Sequence, residues 1–217
     1  MKKFVPIFTT LMLGLSASAY NTWSVICPYS TTGAYRIEIN ENNYWSSASI
    51  QYLNAGGNQI SSEECLFERN EEQFEIQKIE ANSFRKISME MPSGSLLVPS
   101  QTTWEPSVYG FFDQATTDLC YDVNGITPEI KEKILQSKTV QDFFAQDKSE
   151  FKEIYSQADL LLTLVSKVDG QLTFTFEIIW SIDEKDCSAQ INTTSDFESV
   201  ILQPWDEDGN FFECSYT

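Results

Sequence analysis

Residues 160–168 and 171–181 are two apolar, β-rich runs separated only by Asp169-Gly170. Both turn positions tolerate positive φ, so the runs are expected to pair as an antiparallel hairpin with a two-residue turn. On the second run Leu172, Phe174, Phe176, Ile178 and Trp180 recur at every second residue, while Thr173, Thr175, Glu177 and Ser181 take the other face. A strand of period two with one face this apolar must bury that face, because a slip of one residue would turn the whole set into water. The chain is therefore expected to be built on antiparallel sheet, with this hairpin near its centre and something packed against it.

The packing partner is legible just upstream. Thr127 precedes Pro128 and Glu129, which suits a helix start: a hydroxyl to cap, a proline whose missing N–H costs nothing in the first turn, and an acid at the positive end of the peptide dipoles. Ile130, Ile134 and Leu135 then fall at helical spacing, and a second helical segment carries Val140, Phe143, Phe144, Phe151, Ile154 and Tyr155, with a break near Gln146-Asp147. Before residue 101 the periodicity is two. Tyr35, Ile37 and Ile39 alternate with Arg36, Glu38 and Asn40, Asn42-Asn43 is a turn into residues 44–53, Gly56-Gly57-Asn58 ends that run, and Phe74, Ile76 and Ile79 followed by residues 84–91 mark two more strands before Pro92-Ser93-Gly94. A last short strand with Phe211 and Phe212 is expected to be fastened through Cys214. The fold class is α+β: a largely antiparallel sheet with two helices before a C-terminal β-hairpin, residues 20–217 forming one domain, with a subdivision near 101–126 as the alternative.

The first 19 residues stand apart. Lys2 and Lys3, a largely apolar stretch from Phe4 to Leu15 and Ala17-Ser18-Ala19 have the layout of a secretory signal peptide, too short to be preferred as a membrane span. The expected product is secreted, periplasmic or on the cell surface, with no stable transmembrane span after cleavage. Five cysteines, Cys27, Cys65, Cys120, Cys187 and Cys214, are widely spaced, with no Cys-x-x-Cys element and no histidine in the chain. In an exported protein such cysteines read first as disulfide partners. Cys187 with Cys214 is the local candidate pair. Loss of Lys2 and Lys3 takes the formal charge from −18 to −20, a field that repels phosphates and argues against a nucleic acid partner.

Candidate sites are few. The absence of histidine excludes Ser-His-Asp and Cys-His mechanisms. Ser83 with Lys86 and Ser149 with Lys152 have serine-x-x-lysine spacing, which needs a lysine of lowered pKa and lacks the companion motifs. No cofactor is expected. A calcium loop at Asp206, Asp208 and Asn210 with Glu213 is the weaker alternative, since Phe211 sits where a calcium hand requires glycine. Asn192-Thr193-Thr194 fits the glycosylation pattern, but no glycan is assigned. Trp104 and Trp205, beside proline-containing turns, are the candidate binding residues, whereas Trp180 belongs to the core. Residues 61–80 hold seven glutamates against Arg69 and Lys78, either a solvated face or a docking surface for a basic partner. These features favour a noncatalytic extracytoplasmic binding or surface-assembly protein in the cell envelope, with an exported or cell-surface protein as partner before a glycan. A carboxylate-dependent glycan hydrolase is the enzyme alternative.

Overall fold

A computed structural model describes residues 21–30, 33–41, 45–70, 73–80, 83–105, 116–145, 157–168, 170–182, 185–204 and 209–216. The fold is α+β, and its sheet is mostly antiparallel. Strands β1 (Asn21–Ser30), β2 (Gly33–Glu41), β3 (Ser46–Asn54), β4 (Gln59–Asn70), β5 (Gln73–Glu80), β6 (Ser83–Glu90), β7 (Ser100–Glu105) and β8 (Thr116–Asp122) follow one another around a closed barrel. Helices α1 (Pro128–Leu135) and α2 (Lys138–Ala145) come next. A second sheet ends the chain, ordered β12-β11-β10-β9, with β13 also on β11; its strands are β9 (Asp159–Val168), β10 (Gln171–Ile182), β11 (Lys185–Thr194), β12 (Val200–Leu202) and β13 (Glu213–Tyr216).

The alternation in each barrel strand sends one set of residues inward. Val25, Ile37, Ile39, Ile50, Phe74, Ile76, Ile87 and Met89 are fully or almost fully buried there and fill the interior with one another. Side chains of this bulk leave an eight-stranded barrel packed rather than hollow. Arg69, paired with Phe74 in the ladder, lies over the rings of Trp23 and Phe74 at 5.8 and 6.0 Å and binds Glu41 at 2.8 Å. Tyr35, only 1% exposed, donates its hydroxyl hydrogen to Asp118 at 2.8 Å and accepts from the Trp104 indole at 3.0 Å. Burial is the main reason that the Tyr35 phenol is pushed far above its ordinary pKa, so it stays a neutral donor.

A second core lies outside the barrel. Ile26, Ala34, Leu53, Tyr121 and Val123 cluster with the buried face of the C-terminal sheet and with Ile130, Ile134, Leu135, Val140 and Phe144 of the helices. Tyr121 meets Phe174 edge-on at 5.3 Å, which ties barrel to sheet. Helix α1 begins as expected, the Thr127 hydroxyl accepting from Ile130 N. The hairpin forms with Gly170 at φ 83°, and Phe174, Phe176, Ile178 and Trp180 are all buried on one face. The hairpin is not central, however: β10 is an inner strand, but β9 lies at the end of the sheet order. Phe211 and Phe212 precede β13 instead of belonging to it, and Phe212 sits 6.4 Å from Trp180 and 6.0 Å from Phe143. The residues expected to extend the second helix, Phe151, Ile154 and Tyr155, lie outside the described residues, as do the N-terminal leader and the Asn42-Asn43 turn. Among the described residues no helix is long and apolar enough to cross a membrane.

Two disulfides cross-link the chain, as an oxidising compartment permits. Cys187–Cys214 joins directly opposed residues of β11 and β13. Cys27–Cys120 stands at the barrel's closure: among the described residues the β1–β8 ladder pairs Val25 with Asp122 and Ile26 with Tyr121, Val123 N–H donates to the Ser24 carbonyl beyond it, and the bridge occupies the rung after Ile26. Cys65 belongs to neither bridge.

Asp122, opposite Val25 in the β1–β8 ladder and 6% exposed, carries a pH signature. Burial raises its pKa, opposed by backbone N–H groups of Asn124 and Gly94. The folded carboxyl thus holds its proton more tightly than the unfolded one, so its contribution to stability is present in full below the ordinary carboxylate pKa and lost as pH rises through the folded value. Asp122→Asn keeps an oxygen to accept from Asn124. Thermal unfolding is expected to show Asp122→Asn raising the midpoint at neutral pH and losing that advantage near about pH 3; equal shifts at both pH values would exclude ionisation as the cause.

Candidate binding cleft

At one seam of the closed barrel the ladder between neighbouring strands stops short. The β3–β4 ladder runs from Leu53 with Gln59 to Ala48 with Cys65 and ends there, although β3 begins at Ser46 and β4 continues to Asn70. From Leu66 onward the ladder of β4 is with β5, Leu66 opposite Gln77 through Asn70 opposite Gln73. The strand turns away from β3 at Cys65 because it must leave one half of the barrel and join the other. A wedge opens between the diverging strands.

That wedge is a cleft of about 530 Å³, within the usual range for binding sites. Asn40, Ser46, Ser47 and Ser49 line one side and Glu64, Leu66, Phe67, Glu68 and Gln77 the other, with Ala48 and Cys65 at the rung where the strands part. Glu64 and Glu68 are exposed, and Leu66 is 58% exposed. No residue lining the cleft is basic. Two nearby cations are engaged elsewhere, Arg69 with Glu41 and Lys86 with Glu75 at 2.7 Å. Serine hydroxyls, carboxylates and strand backbone equip this surface to hold cationic and hydrogen-bonding groups.

Other candidate residues are not gathered here. Trp104 is a strand residue of β7, half-buried, edge-on to Tyr35 at 5.4 Å and hydrogen-bonded to it, so its indole is part of the barrel's internal network and is not displayed on a turn. Trp205, Asp206 and Asp208 lie outside the described residues. Asn210 and Glu213 are exposed near the C-terminal strand, and among the described residues no group of three or more potential metal ligands occurs. The hydrogen bond from Lys86 to Glu75 raises the lysine pKa, the opposite of what a base for Ser83 requires. Ser149 and Lys152 are not among the described residues. Asn192 lies within β11, its side-chain oxygen buried, a poor position for a glycan acceptor. The acidic character of residues 61–80 was apparent as composition; the seam was not, because it depends on where β4 changes partner. No protein-family model, curated protein or solved structure matches this chain.

Proposed function

We propose that this is a noncatalytic, exported binding or surface-assembly protein that docks a basic protein partner on the acidic wall of the β3–β4 seam. The single observation that carries the reading is the coincidence of an open cleft with Glu64 and Glu68 on a chain of net charge −18. Charge of one sign steers an oppositely charged partner and sets the salt dependence of the encounter. The signal-like start and two disulfides agree with an extracytoplasmic setting.

A photo-crosslinking side chain at Ser49 or Gln77 tests this in the producing cells. The expected product is a protein adduct that disappears when Glu64→Lys and Glu68→Lys are combined, while the same probe at Ser188 on the C-terminal sheet yields none. Equal adducts from both surfaces would remove the cleft from the function. Hydrolysis of a glycan, abolished by one carboxylate substitution without unfolding, would replace the binding reading with the hydrolase.

A further inference from the structure

Resting on that reading, we infer that the seam recognises its partner by strand addition: an extended segment bearing lysine or arginine at alternate positions pairs with the β4 edge from Leu66 to Asn70. The backbone supplies the first reason. Along this half of β4 the ladder among the described residues is with β5 alone, whereas the preceding half, from Gln59 to Cys65, pairs with β3. A strand side without a ladder presents its N–H and C=O groups as a template for another chain. The cleft of about 530 Å³ at this point gives an incoming segment room between β4 and the start of β3.

The side chains then select the occupant. Alternate residues of a strand lie on opposite faces, so Glu64, Leu66 and Glu68 face outward while Cys65 and Phe67 face the barrel interior. A segment lying antiparallel against Leu66–Asn70 would set one outward residue directly opposite Glu68 and the next opposite Leu66, diagonal to both Glu64 and Glu68, with an inward residue over Phe67. Opposite charges on directly facing positions favour pairing, and like charges disfavour it. The sequence that fits therefore alternates a basic residue with a small or β-branched apolar one. An acidic segment meets repulsion on the outward face, and a proline-interrupted one lacks the donors that the edge requires.

The probes are synthetic hexapeptides titrated into the full chain. An alternating Lys–Val peptide is expected to bind, with affinity falling as salt rises, and the Glu–Val peptide is expected not to. Combining Glu64→Lys and Glu68→Lys should weaken the Lys–Val peptide by about tenfold or more; thermal unfolding of this variant checks that the barrel is intact. The decisive comparison needs no variant. N-methylation of alternate peptide nitrogens preserves every charge but removes the backbone donors, and is expected to weaken binding by about tenfold in the register that faces β4. Hydrogen exchange should show amides within 66–70 gaining protection with the unmethylated peptide. Equal binding of both N-methylated registers and the parent, or protection confined to other strands, would overturn strand addition. A peptide that fails to bind while crosslinks at Ser49 persist would sink this mode and leave the docking reading standing; loss of both would sink both.

Discussion

Replacing Cys27 and Cys120 together by alanine is expected to destabilise the protein more than removing the other disulfide. The bridge closes a sequence separation of 93 residues, against 27 for Cys187–Cys214. In the chain-entropy account, a loop of roughly 100 residues restrains the unfolded chain by about 4.7 kcal/mol, and the shorter loop restrains it by less, nearer 3.5 kcal/mol. Structure adds to the difference. Among the described residues two ladder pairs and the hydrogen bond from Val123 N–H to the Ser24 carbonyl join β1 to β8, so the Cys27–Cys120 rung is a large part of what closes the barrel. Loss of about 4 to 5 kcal/mol corresponds to roughly 10–20 °C in the unfolding midpoint of a chain this size. Calorimetry of the two double variants provides the check, and an equal or larger loss on removing Cys187 and Cys214 would contradict the closure argument.

Trp180→Ala should cost about 3 to 5 kcal/mol. The indole is 6% exposed and is met by the rings of Phe144 at 5.0 Å, Phe143 at 6.2 Å and Phe212 at 6.4 Å. It is thus the point at which sheet, helix α2 and the segment before β13 share one core, and truncation leaves a cavity that three elements would have to move to fill. Trp104→Phe is the instructive comparison. That change keeps an aromatic ring in the barrel but removes the N–H that Tyr35 accepts, a loss of about 1 kcal/mol. Chemical denaturation of the two variants should separate them clearly. A cost below about 1 kcal/mol for Trp180→Ala would mean that the helices do not pack on this face as described.

Legibility followed the range of the interactions. The Asp169-Gly170 turn, the alternating face ending at Trp180 and the Thr127-Pro128 helix start are written in adjacent residues, and the structure contains the hairpin, the buried face and the capped helix. Cys187 opposite Cys214 was readable for the same reason, because both lie within one short return of the chain. Trp104 shows the limit of local reading: its nearest sequence neighbour of note is a proline, yet its indole bonds to Tyr35, 69 residues away. Proximity to a turn says little about a side chain whose partners arrive from another strand.

The candidate cleft illustrates the same division. Seven glutamates between residues 61 and 80 announce an acidic surface. They do not announce an opening, which exists because β4 pairs with β3 up to Cys65 and with β5 beyond it. A long strand with continuous alternation reads the same whether it keeps one pair of neighbours or changes them midway.

By itself, then, the sequence determined the periodicity of its segments, the faces they must bury and the α+β class, and it offered Cys187 with Cys214 as a candidate pair, all through contacts among near neighbours. Only the tertiary structure decided that the first eight strands close into a barrel, that Cys27 meets Cys120 across the closing rung and that the wall parts beside Glu64 and Glu68. The physical reason is that period-two alternation stabilises an open sheet and a closed barrel alike. The choice between them rests on pairing β1 with a strand nearly a hundred residues later, and the loop-closure cost of that contact leaves no mark on local sequence.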